Sequence, residues 1–195
     1  MGCILENKEN EIIENLVYDL SDMFLLDDIG LYAKRTAKEL TTTWDKVKKF
    51  RIILDQKMEK DEISYIRFKD SVEQVFFNIV DNCCIIKNKL DVLKSIDISF
   101  FNDRILEIKV SSIKTKEMLY ELSSLRSRRN IVKESIKMIE GILSINEATI
   151  TSIDKMILSI GEINSKNAMA SIDMSYSVEE LEKLIENSKL YNRVE

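Results

Sequence analysis

The 195-residue sequence predicts an all-α protein, a long antiparallel helical hairpin with additional helices packed on it as a helical bundle, and three observations support this class. Proline is absent and glycine occurs four times, so the two strongest interrupters of regular structure are almost missing. Apolar residues recur at steps of three, four or seven over two long stretches, Val72 to Leu93 and Val132 to Ile160, which keeps each set on one helix face. A composition of 45% hydrophobic and 32% charged residues excludes ordinary disorder, while no run reaches the roughly 18 to 20 apolar residues that cross a bilayer.

The first third is helical without a sharp motif. Ile12, Ile13, Leu16, Val17, Leu20, Met23 and Phe24 form one amphipathic helix, closed by Asp27-Asp28-Ile29-Gly30 with Gly30 as its C-terminal cap. A second, less regular helix carries Ala37, Leu40, Trp44, Val47 and Leu54. Lys48, Lys49 and Arg51 lie beside Trp44 and Phe50, but residues 1–70 hold 12 basic against 15 acidic side chains, so the basic residues read as a solvated face around core aromatics. This part is an N-terminal helical extension.

From Val72 the pattern sharpens: Val72, Phe76, Ile79, Cys83, Ile86, Leu90 and Leu93 alternate steps of four and three, the seam of a helix that needs a partner. Turn-prone Ser95 to Asp103 follows, the expected tip of a hairpin, after which helical periodicity resumes at Arg104 and runs into a spine. On the spine, Val132, Ile136, Ile139, Leu143, Ile150, Ile153, Ile157 and Ile160 form one stripe. Met138, Ile142, Ile145, Met156 and Ile163 widen it until the helix must satisfy two neighbours. Asn146 and Asn164 interrupt the seam. A bend or break is expected at Gly141 to Ser144, where Ser144-Ile145-Asn146-Glu147 has the form of a capping box. Residues 71–170 thus make the hairpin and spine. Residues 171–195 make an acidic C-terminal helix, opened by the capping box Ser177-Val178-Glu179-Glu180 and carrying Leu181, Leu184 and Ile185 as its contact face.

Charge is split along the chain. Lys87 to Lys137 holds 12 basic and 7 acidic residues, and Met138 to Glu195 holds 5 and 10. A basic hairpin followed by an acidic tail can bind an anionic surface, with the tail as an internal competitor, or can simply present two solvated faces.

The residues that would carry enzyme chemistry are scarce. Histidine is absent, which removes the usual general base and commonest metal ligand. There is no phosphate-cradling glycine loop, no nucleophile elbow and no Cys-x-x-Cys pair, so no cofactor, metal or catalytic residue is expected, and the chain reads as a non-enzyme. Cys83 and Cys84 read as core packing, and the odd total of three cysteines without framework spacing fits a reducing cytoplasm. Gly2 and Cys3 match the pairing used for dual acylation, although Glu6 stands where Ser or Thr is preferred. A net charge of −5 and the lack of an aromatic platform argue against nucleic acid.

The order of a basic hairpin, a glycine-marked acidic helix and a short terminal helix resembles the ESCRT-III family. The resemblance is carried by Met118 to Arg126 with the cluster Arg126, Arg128 and Arg129, by Lys155 to Gly161, and by Ser177 to Glu186. It implies a subunit that self-assembles into filaments on an anionic membrane and remodels it, peripheral to the membrane on the cytoplasmic side. The lipid contacts would be Lys87, Lys89, Lys94, Arg104, Lys109, Arg126, Arg128 and Arg129. The sequence departs from the family in having residues 1–70, in lacking Lys or Arg from Val72 to Ile86, and in showing no clear ATPase-docking motif. The competing reading is a compact helical-bundle interaction or adaptor protein, or an effector, that binds other helical proteins without membrane activity.

Overall fold

The computed structural model describes residues 2–27 and 29–161 together with Lys183, with side chains from Lys8 onward. The described residues are all-helical, with five helices: α1 (Gly2–Ser21), α2 (Gly30–Lys57), α3 (Ile63–Lys94), α4 (Ile98–Val110) and α5 (Lys116–Gly161). The expected linker at Ser171 to Tyr176, the capping box at Ser177, Asn164 and Ile163 lie outside the described residues, as do Leu181, Leu184 and Ile185.

Side-chain pairings fix the helix directions. Tyr32 donates to Glu140 at 2.9 Å and Lys46 pairs with Asp154, both at an offset of 108 residues, so α2 and α5 run parallel. Arg51 reaches Glu73 on α3 while Thr36, further back on α2, lies against Cys83, further along α3; these two helices are antiparallel. Glu9 meets Arg51 and Asp19 meets Lys87, which runs α1 parallel to α3. The result is an up-down-up-down four-helix body of α1, α2, α3 and α5.

Each helix buries the face its periodicity marks. All seven seam residues of α3 are buried, and on α5 every stripe residue is buried except Ile136, which is partly so. The two neighbours that α5 satisfies are α3 and α2, so its second partner comes from residues 1–70. One continuous core runs from Ile13 on α1 to Ile160 on α5, and residue 70 lies inside α3.

Three local expectations are corrected. Gly30 does not cap α1 but opens α2, where it is buried and its amide donates to the Leu26 carbonyl at 2.7 Å. A Cβ there would stand 2.7 Å from the Phe24 carbonyl oxygen and 3.0 Å from that of Met23, so the glycine is needed for close backbone approach. α5 passes through Gly141 to Ser144 without a break, because Ile139, Ile142 and Leu143 are all buried there and packing outweighs the weak helix preference of one glycine. The chain does not reverse at Ser95 to Asp103. The Asp97 carboxylate accepts from the Phe100 amide at 2.9 Å and from the Ser99 hydroxyl at 2.7 Å, so these polar residues start α4 instead of making a turn.

Reversal comes at Ser111 to Thr115. Arg104 on α4 pairs with Glu121 on α5, and Asn82 on α3 with Asn146 on α5, so α3 and α4 follow one another antiparallel to a single 46-residue helix. The N-terminal part of α5 therefore extends past the body with only α4 beside it. We call residues 98–131 the arm.

Candidate interaction surface

The arm has a small core of its own, Phe101, Ile105 and Ile108 from α4 with Leu122 and Leu125 from α5, separate from that of the body. Arg104 fastens it. Its Nε lies 2.7 Å from one Glu121 carboxylate oxygen and its Nη2 2.9 Å from the other, while Nη1 reaches Glu107 at 2.9 Å. This bidentate pairing holds the Glu121 carboxyl below the usual carboxylate range and raises the Arg104 pKa. Further along, the Arg128 guanidinium lies 4.4 Å from the centre of the Phe101 ring.

Two helices cannot enclose all the apolar side chains the arm carries. Phe100, Leu106, Val110, Ile113, Leu119, Tyr120 and Ile131 are all exposed. The turn itself is ordered: the Ser111 hydroxyl donates to the Ile113 carbonyl at 2.7 Å, and the Thr115 hydroxyl oxygen accepts from the Met118 amide at 3.3 Å, capping α5. The arm carries seven basic and four acidic residues in a chain whose net charge is −5.

No family model, curated protein or solved structure matches this chain.

The eight basic residues expected at a membrane fall into different settings. Lys87 is half-buried in the body, 3.0 Å from Asp91 and 3.4 Å from Asp19, and the Asp91 bond raises its pKa; it ties α3 to α1. Lys89 is half-buried on the same helix, and Lys94 is exposed in its last turn. Arg104 and Arg128 are engaged within the arm as described. Lys109, Arg126 and Arg129 are exposed on it. Gly2 opens α1, whose direction puts it at the end of the body opposite the arm; the side chain of Cys3 lies outside the described ones.

The body contains a second polar constellation. Asn82 donates to Asn146 at 2.8 Å inside the core, beside fully buried Cys83, whose thiol burial pushes upward in pKa. Nearby Glu39 is buried on α2 with the Arg35 Nε at 2.8 Å. Burial pushes its carboxyl up to about 6, against the downward pull of Arg35 and Asn146. Thr36, Thr43 and Thr149 are buried as well, each donating its hydroxyl to the carbonyl four residues earlier. Outside this layer, a shallow groove between α2 and α5 is crossed by the Lys46 and Asp154 pair. Among the described residues no cluster of three or more Cys, Asp or Glu side chains could hold a metal ion, and no helix is long and apolar enough to cross a membrane.

Sequence reasoning missed the polar layer because Asn82 lies off the α3 seam and Asn146 read only as a flaw in the α5 stripe. It also missed the turn at Ser111 to Thr115, where Ser-Ser beside Ile113 and three lysines was the available signal.

Proposed function

We propose that this chain is a non-enzymatic interaction protein in which a four-helix body displays a two-helix arm as its contact surface. The observation that carries this reading is the arm's unburied apolar complement: five residues form its core while Leu106, Val110, Ile113, Leu119 and Tyr120 stand in solvent around its end. The body has one continuous core shared by all four of its helices, with exposed apolar side chains such as Leu25, Leu31 and Ile63 spread over different helices and connections.

The decisive comparison is between the native full chain and a variant carrying Leu106→Ser, Val110→Ser, Leu119→Ser and Tyr120→Ser. Light scattering over a concentration series and sedimentation with lipid vesicles read its associations. Native chain is expected to self-associate or sediment, the variant to do neither, and both to melt together. A native chain that stays monomeric and sediments with nothing sinks the proposal, as does an association that survives all four substitutions.

A second reading is an ESCRT-III-like filament subunit. It is supported by one observation, the antiparallel run of α3 and α4 along α5, which makes a long hairpin with a basic end. Electron microscopy of the native chain on anionic vesicles tests it, filaments being the expected result and their absence the contrary one.

A further inference from the structure

We infer that the tip of the arm docks on an anionic lipid surface, with Val110 and Ile113 entering the interface and Lys109, Lys114 and Lys116 pairing with lipid headgroups. This rests on the proposed role of the arm as contact surface and names what it contacts.

Two observations select lipid over a folded partner. The first is the distribution of apolar side chains. Val110 is 72% and Ile113 77% exposed at the turn, and Leu106 from α4 joins them. Leu119 and Tyr120 are consecutive on α5, so they leave the helix about 100° apart, and both are exposed. The apolar groups at the tip thus face more than one direction, and a flat protein face would cover only a fraction of them. An interface that the tip enters end-on reaches them all. The Ser111 hydroxyl bond to the Ile113 carbonyl holds the loop in the conformation that exposes Ile113.

The second observation is charge. Lys109, Lys114 and Lys116 are exposed and make no ion pair within the described residues. The acids nearest them are otherwise occupied: Glu107 and Glu121 hold Arg104, and Glu117 sits in the first turn of α5, where its own amide and Thr115 keep its pKa low. Three free ammonium groups on flexible apolar stems beside two protruding aliphatic side chains suit a headgroup region, where the stems lie against acyl chains and the charges reach phosphate. Each lysine near an anionic surface adds about fivefold in affinity, which falls as salt rises.

Sedimentation of the full chain with vesicles of phosphatidylcholine alone, and of phosphatidylcholine mixed with phosphatidylserine, tests the inference. Binding is expected to the mixed vesicles only. Joint Lys109→Gln, Lys114→Gln and Lys116→Gln substitution is expected to weaken it about 100-fold, and Val110→Ser with Ile113→Ser to abolish it. Because these side chains are exposed, the variants keep the fold, which the fluorescence of Trp44, buried in the body, reports independently. The chain has one tryptophan, so Ile113→Trp adds a reporter whose emission is expected to move to shorter wavelength on mixed vesicles. Failure to bind mixed vesicles, binding that both tip variants retain, or an unshifted Ile113→Trp emission each overturns it. If vesicles never bind but Leu106→Ser and Tyr120→Ser abolish self-association, the lipid inference falls while the arm remains the contact surface.

Discussion

Asn82 on α3 and Asn146 on α5 meet side chain to side chain at 2.8 Å in the core, and this bond pins the register of the two helices. Sliding either helix would bury both amides without partners, which costs more than a displaced leucine. We expect Asn82→Ala or Asn146→Ala alone to lower stability by about 1–3 kcal/mol. Replacing both with Leu should recover part of that loss, because neither amide is then left unpaired, although Glu39 loses its bond from Asn146. Urea denaturation of the two single variants and the joint one measures this, and additive losses would disprove the pairing.

Glu39 gives the body a pH dependence of definite sign. Its folded pKa, about 6, lies above the unfolded value near 4.5, so the folded state holds the proton more tightly. The stabilisation from that proton is full below about pH 4.5 and is lost as pH rises through about 6. Glu39→Gln should therefore be more stable than native at pH 7.5, by about 1 kcal/mol once the lost Arg35 pair is allowed for, and little different at pH 4.5. Urea midpoints at the two pH values check the prediction; a larger gain at pH 4.5 would contradict it.

At Gly30 the backbone of the α1 to α2 connection comes too close for any side chain. Gly30→Ala is expected to destabilise by about 1–3 kcal/mol despite the better helix propensity of alanine, since the added carbon meets carbonyl oxygens that cannot rotate away. Thermal unfolding read by circular dichroism decides it, and a neutral or higher melting temperature would show that the connection yields.

How much of this was legible depended on what each face buries. The α3 seam and the α5 stripe were plain because their buried positions are almost all aliphatic, and the need of α5 for two neighbours could be read from the width of its stripe. The identity of the second neighbour could not. α2 buries Thr36, Glu39 and Thr43 along with its apolar residues, so its core-facing side looks mixed in sequence. Gly30 was assigned by the common habit of helix ends, whereas its reason is a tertiary approach that no local pattern encodes. The arm was obscured in the same manner: Asp97 and Ser99 have turn composition, but their side chains were committed to starting α4. Of the basic residues that the family resemblance placed at a lipid surface, Lys87 and Arg104 are tied to Asp19 and Glu121, acids too distant in sequence to be read as partners, as well as to their helical neighbours Asp91 and Glu107.

The continuity of α5 makes the arm a detachable piece. Stepping from Asn82 to Leu93 on α3 covers the same length as stepping back from Asn146 to Ser135 on α5, so the two chains stand level where the body ends. A short turn joining them there would close an ordinary four-helix bundle, with Val132 the one buried residue of its core left out. The chain can thus be understood as a plain bundle whose third and fourth helices have been prolonged together, and the prolongation could be transplanted, shortened or exchanged as a cassette without rewriting the bundle that carries it.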